Sequence, residues 1–240
     1  MCPLVLLAYV KQEPAPLRVI TQEWPLLNYT EDGEVKGFAT EVMRLVMKEL
    51  KVNYQIEVLP GPRVLKALNE GPRVLYFAFI YTPERKPLYK WIGTFGNETI
   101  YFYKKKGSKL KINTLADAKK VSSVCCRDNG LVFDYLKKAG FQNLDVSVDP
   151  TGLYLKAVRG RCDLVIGETA DGVAYWLKKS NLSEDSLEQT SVKISDSSVY
   201  VVASMDVPNE EISRWHRALE KVKTTAEFAK LSKDYQGISK

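Results

Sequence analysis

Hydrophobic and polar positions alternate with two different periods along this chain, and the switches between them lay out its elements. Leu17–Thr21 reads as a short strand, and Asp32-Gly33 is a tight-turn pair of the kind that closes a hairpin. From Phe38 to Leu50 the apolar residues Phe38, Val42, Leu45, Val46 and Leu50 fall on one stripe of an amphipathic helix. Asn53–Leu59 returns to strand-like alternation, Pro60-Gly61-Pro62 breaks it, and Arg63–Asn69 makes a short helix. An aromatic-rich apolar run, Val74 to Tyr81, then stops abruptly at Thr82-Pro83-Glu84-Arg85. The order is β-α-β-α-β, the grammar of parallel strands joined by crossover helices.

The same grammar runs a second time. Val121–Cys126 is a strand, Asp128-Asn129-Gly130 a turn that could cap the helix Leu131–Ala139, and Leu144–Val148 another strand. Thr151–Arg159 is a helix, Cys162–Ile166 a buried strand ending at Gly167-Glu168-Thr169, and a further helix runs through Tyr175-Trp176-Leu177. Two more strand-like segments, Thr99–Lys104 and Ser198–Ala203, lie between and after the two runs. If each crosses once, the chain leaves one α/β lobe, builds a second and returns, with final helices from Asn209 to Tyr235 packing on the first. The expected organisation is residues 17–99 plus 203–240 as lobe one and 100–202 as lobe two. Hinge strands then fall near 99–104 and 198–203, with a ligand held in the cleft between the lobes.

Composition narrows the partners. The 240 residues, 45% hydrophobic and 27% charged, suit a soluble globular chain large enough for two cored lobes. A formal net charge of +6 raises the question of a polyanion, but lysines and acids interleave. The dense basic run Lys104-Lys105-Lys106 with Lys109 and Lys111 comes without a zinc-finger or RNA-binding signature, so it reads as a solvated loop and no nucleic-acid partner is expected. No stretch reaches the ~18 apolar residues of a membrane span. Met1–Val10 resembles the apolar core of a secretory signal without a basic start or a clean cleavage site; Lys11–Pro16 then reads as a linker, so 1–16 is expected to be a signal remnant or linker.

Cysteine and histidine usage argues against a metal or a nucleophilic triad. Cys2, Cys125, Cys126 and Cys162 form no C-x-x-C pair. On a strand Cys125 and Cys126 face opposite ways, so at most one can bridge to Cys162, with buried free thiols as the default. The single histidine, His216, lies in a helical pattern near the C-terminus. No cofactor is expected.

Candidate chemistry centres on Arg85. Pro83 suits the first turn of a helix and Thr82 its N-cap, which would fix Arg85 at the carboxyl end of a strand, where open α/β sheets bind ligands. A guanidinium there can grip a carboxylate through two parallel hydrogen bonds. A structural role, solvated or paired with a nearby acid, is the competing reading.

The order Trp24-Pro25…Asn28-Tyr29, Gly37-Phe38, Thr82-Pro83-Glu84-Arg85, Asp128-Asn129-Gly130, Gly160-Arg161-Cys162-Asp163 and Gly167-Glu168 resembles the bacterial extracellular solute-binding proteins of family 3, the polar amino-acid receptors of ABC importers. The resemblance covers about residues 17 to 237; Pro62-Arg63, Gly71-Pro72 and Tyr89–Gly93 look like a divergent branch. It implies a two-lobed periplasmic-binding-protein-like (type II) fold, a periplasmic location, a monomer and a membrane permease as partner. By this likeness Arg85 clamps a ligand carboxylate, Glu168 receives an ammonium, Trp24 stacks on the ligand, and the turn at Asn129 offers a helix N-terminus. Glu168 replaces the usual aspartate, and Phe77-Ala78-Phe79-Ile80-Tyr81 stands where relatives present hydroxyls. Arg63 adds a second cation, so the ligand is expected to be anionic or dicarboxylate-like with a flat or apolar part. Glu23, Tyr81 and Trp91 complete the candidate ligand-binding set. The weighed alternatives are a cyclohexadienyl-dehydratase-like enzyme using Glu168 as acid, and the sensing module of a signalling receptor; a non-catalytic receptor is preferred.

Overall fold

A computed structural model describes residues 15–128 and 131–235. The strands are β1 (Arg18–Thr21), β2 (Tyr29–Glu31), β3 (Glu34–Lys36), β4 (Ile56–Val58), β5 (Val74–Ile80), β6 (Lys90–Lys105), β7 (Val124–Arg127), β8 (Leu144–Ser147), β9 (Leu164–Ile166) and β10 (Leu187–Ala203). The helices are α1 (Phe38–Glu49), α2 (Gly61–Glu70), α3 (Leu115–Lys120), α4 (Leu131–Lys138), α5 (Pro150–Val158), α6 (Ala170–Lys179), α7 (Asn209–Lys223) and α8 (Ala226–Asp234). Among the described residues no helix is long and apolar enough to cross a membrane.

Eight strands run in the order β4-β1-β5-β10-β6-β9-β7-β8. β4, β1 and β5 are mutually parallel, as are β8, β7 and β9. Between these two parallel sets lies an antiparallel ribbon, β6 with β10, paired from Ala203↔Lys90 to Leu187↔Lys105. The protein is thus an α/β structure of two sheet-and-helix lobes joined through one ribbon. The segments expected as two short crossings are parts of strands of 16 and 17 residues. Each finds a partner along nearly its whole length, so pairing continues well beyond the crossing point.

Each parallel set is covered on both faces, which is why its strands read as continuous apolar runs. On the first set, α1 and α7 bury Phe38, Val42, Val46, Trp215 and Leu219 against Leu75 and Phe77, while α2 brings Val64 and Leu68 to Ile20 and Tyr76 on the other face. On the second set, α3 and α4 cover one face with Ala118 and Leu136, and α5 and α6 the other with Leu153, Tyr154 and Leu177. The helix α3 was not foreseen: six residues are too few for a periodic stripe, although its Thr114/Asp117 capping box is legible. The strand expected over Asn53–Leu59 shrinks to Ile56–Val58, an edge strand that pairs with β1.

Two local features shape the first lobe. Gly37 has φ +119, outside the range of residues with a Cβ, and this lets α1 start against the loop before it. The Phe38 and Ala39 N–H groups donate to the Leu26 and Leu27 carbonyls at 2.8 and 2.9 Å, so the loop Trp24–Asn28 satisfies the helix start. Ala78 takes φ +64 where the β5–β10 register slips: Phe79 pairs with Tyr200 but Phe77 pairs with Val201. This is a bulge. It turns Phe79 to the face opposite Phe77 and Ala78, toward Tyr89 and Trp91.

The default of free thiols is corrected for two cysteines. Cys125 is disulfide-bonded to Cys162, with Cα atoms 5.9 Å apart, and Cys126 is a buried free thiol whose pKa burial pushes up to about 11. Cys125 faces the α5/α6 side, where the chain enters β9; Cys126 faces α3 and α4.

Candidate functional site

The carboxyl ends of β5, β7 and β9 carry the candidate groups: Tyr81 and Arg85 follow β5, Arg127 ends β7, and Glu168 follows β9. After β5, the chain makes turns rather than the expected α-helix, entering a single 3₁₀ turn over Lys86–Leu88. Thr82 still behaves as a cap: its Oγ1 accepts from the Arg85 N–H at 3.3 Å. The Arg85 side chain folds back, its Nη1 donating to the Ile80 carbonyl at 3.1 Å and its Cζ lying 4.4 Å from the Phe79 ring centroid. Burial holds the Arg85 pKa below its ordinary value, opposed by Tyr76, Tyr89, Asp134 and Glu84. No carboxylate lies within ion-pair distance of this half-buried guanidinium among the described residues.

Tyr81 and Trp91 sit beside Arg85. Their rings are 5.1 Å apart, and Trp91 also meets Tyr200 at 5.1 Å and Phe79 at 5.9 Å. Trp91 Nε1 donates to the Lys86 carbonyl at 3.0 Å, which ties this aromatic group to the turn after Arg85.

Across from it, Glu168 follows β9 and is 2% exposed. Its Oε1 accepts from Arg127 Nη1 at 3.1 Å; Arg127 ends β7, and its side chain stays 36% exposed. Burial raises the Glu168 pKa, and the Arg127 charge beside it works the other way. Arg127 was missed from sequence: a strand-end arginine becomes conspicuous only when the β7–β9 register, Cys126↔Ile166, sets it beside Gly167-Glu168.

The remaining candidates divide. Trp24, 8% exposed, packs in the core under α1, and its backbone bridges to Asn28. Glu23 is exposed and accepts from the Thr30 hydroxyl at 2.6 Å. Arg63 is exposed in the first turn of α2. Asn129 lies outside the described residues. Thus Arg85, Tyr81 and Trp91 come together on one lobe and Glu168 stands on the other, while Trp24 packs in the lobe-one core, Glu23 holds Thr30 and Arg63 is exposed.

The lobes touch at these ends. Lys138 on α4 pairs with Glu84 at 3.5 Å, Tyr29 and Tyr175 have ring centroids 5.7 Å apart, and Leu131 at the start of α4 packs against the lobe-one core. Two surface hollows, of about 470 and 490 Å³, lie away from these groups. One is lined by Leu68, Leu88 and Met205, the other by Arg44, Met47 and Tyr54. The one close set of metal-capable side chains among the described residues is Cys125, Cys162 and Asp145. With both sulfurs in the disulfide, it offers a lone carboxylate.

Two α/β lobes on a shared ribbon, with polar strand ends turned toward one another, define the periplasmic-binding-protein type II class. The chain belongs to the bacterial extracellular solute-binding proteins, family 3, whose family model matches residues 17–238. Among solved structures, a histidine kinase sensor domain with similarity to periplasmic binding proteins aligns with TM-score 0.82 at 14% identity, covering 93% of this chain and 97% of that one. The amino acid ABC transporter substrate-binding protein AbpA from Streptococcus pneumoniae, bound to L-arginine, aligns with TM-score 0.74 at 19% identity, covering 91% and 93%. The arginine-, lysine-, histidine-binding protein ArtJ from Geobacillus stearothermophilus gives 0.75 at 16%, covering 94% and 97%. At these identities the likeness concerns the fold. No curated protein sequence matches the chain.

Proposed function

We propose that this protein is a non-catalytic receptor that captures a small carboxylate-bearing solute between its lobes and presents it to an ABC-importer permease outside the cytoplasmic membrane. The clamp halves are 17–99 with 203–240 and 100–202, and the β6–β10 ribbon flexes near 99–104 and 198–203. The observation that carries this reading is Arg85: a half-buried guanidinium just past a strand end, stacked on Phe79, with no carboxylate partner among the described residues. A ligand carboxylate would satisfy it, and Tyr81 and Trp91 would wall the less polar part of the solute. With the lobes touching through Glu84–Lys138 and Tyr29–Tyr175, entry needs hinge opening, and closure strengthens each charged hydrogen bond by excluding water. Membership of a solute-binding family and folds shared with ABC-transporter receptors support the role.

Thermal shift against amino acids, dicarboxylates and aromatic acids tests it, since a ligand of the native state raises Tm by mass action. Arg85→Ala is expected to abolish the shift while leaving the apo melting point nearly unchanged. An undiminished shift removes Arg85 from the site. The likeness to a kinase sensor domain favours one other use of the same clamp, signalling rather than transport. Co-purification with a permease or with a kinase separates the two.

A further inference from the structure

We infer that Arg127 is a specificity-determining residue of the interlobe site, that Glu168 positions it, and that the solute is a carboxylate without an ammonium group. This rests on the clamp reading above and names its ligand class.

An ammonium needs an accessible carboxylate with spare acceptor capacity. Glu168 is the buried acid at the β9 end, yet it is 2% exposed and already accepts from Arg127 at 3.1 Å. The pair has no net charge to offer a cation, and so little Glu168 surface remains that an incoming ammonium would have to displace the guanidinium. The neighbouring acids do not replace it. Glu84 is tied to Lys138, Glu23 holds Thr30, and Asp128 and Asp134 are exposed. Asp171, in the first turn of α6, is half-buried near Tyr103, on the α5/α6 side of the sheet.

The cationic side of the balance is stronger. Arg127 uses one Nη on Glu168 and keeps a 36% exposed side chain at the end of β7. Its remaining N–H donors are open to a second acceptor, since a guanidinium has five. Arg85 stands at the end of β5, and the contacts of α4 with the Glu84 turn and the lobe-one core bring these strand ends toward one another. Each lobe therefore contributes a guanidinium, and among the described residues neither contributes a free buried acid. Glu168 fixes the Arg127 fork while leaving its outer edge for an oxyanion. The run Phe77-Ala78-Phe79-Ile80 contributes no hydroxyl to β5, and Tyr81, Trp91 and Tyr200 offer a wall for a flat or apolar body.

Matched ligand pairs differing only in the ammonium test this: succinate against aspartate, 2-oxoglutarate against glutamate, phenylpyruvate against phenylalanine. The measurement is titration calorimetry on the full chain, with thermal shift alongside. The expected result is that one ammonium-free member binds at least about tenfold more tightly than its amino counterpart, the scale of one charge-assisted hydrogen bond. Glu168→Gln, whose amide oxygen can still accept from Arg127, should weaken the anion less than Glu168→Ala, which releases the Arg127 fork; at an ammonium receptor both would lose binding alike. Arg127→Met should weaken the anion by about tenfold to a hundredfold. The double variant Arg127→Met/Glu168→Gln, which leaves no unpaired buried charge, should show the same loss with normal melting. Tighter binding of the amino members, equal loss of binding in Glu168→Gln and Glu168→Ala, or no response to any ammonium-free member overturns the inference. If Arg85→Ala leaves all binding intact, the clamp reading itself fails; if Arg85 is required but amino acids win, only the ligand class does.

Discussion

Cutting the Cys125–Cys162 bridge should cost this fold more than any single surface change, and the size of the effect can be worked from the chain. The bridge closes a loop with a sequence separation of 37 and brings together Cα atoms 5.9 Å apart, within the usual disulfide range. Loop-closure entropy for that length gives about 4 kcal/mol of stabilisation through the unfolded state, with about 2 kcal/mol as a practical lower bound. For a chain of this size, each kcal/mol shifts Tm by about 2–4 °C, so the loss is about 8–16 °C at full value. Cys162→Ala, melted under oxidising conditions and compared with wild type with and without reductant, measures it. Cys126→Ala should keep the reductant sensitivity, because Cys126 faces the opposite side of β7. In denatured, unreduced protein Cys126 should react with a thiol reagent, whereas Cys125 and Cys162 should react only after reduction. Melting of Cys162→Ala within about 1 kcal/mol of wild type, or reaction of Cys125 and Cys162 with a thiol reagent before reduction, would refute the reasoning.

Three further outcomes follow from the geometry. Gly37→Ala combines a backbone at φ +119 with a Cβ driven into the Leu27 carbonyl, and should lower stability by more than about 2 kcal/mol in urea unfolding; a neutral effect would mean the α1 start relaxes freely. Trp24→Ala removes a core side chain and should cost about 3–5 kcal/mol of stability; a loss of ligand affinity at unchanged stability would instead make Trp24 a ligand platform. Glu168 holds its proton to higher pH in the folded state, because burial outweighs the nearby Arg127 charge. The native state thus binds more protons than the unfolded one. This contribution is fully present below the ordinary carboxylate pKa and is lost as pH rises through the raised folded value, with a slope of at most about 1.4 kcal/mol per pH unit. Glu168→Gln should flatten that part of the stability–pH curve, and an unchanged curve would show that Glu168 ionises normally.

The sequence by itself determined the α/β grammar, the two runs of it and the place of Arg85. These follow from local rules: a stripe such as Phe38, Val42 and Val46 records which face of one helix is buried, and a doubly buried strand such as β5 must be apolar throughout. Thr82-Pro83 marked where that strand had to stop, though the weak turn after it formed a 3₁₀ segment where an α-helix was expected. Partners across strands were decided only by tertiary structure. Whether Cys125 or Cys126 meets Cys162 depends on which face of β7 the chain entering β9 approaches. Arg127 finds Glu168, 41 residues away, because Cys126 pairs with Ile166. A register shift of one residue would send every side chain of β7 to the opposite face, and no periodicity within a four-residue strand carries that choice. The bulge at Ala78 and the full-length β6–β10 ribbon are of the same kind, set by the neighbour each strand pairs with and invisible in either strand alone.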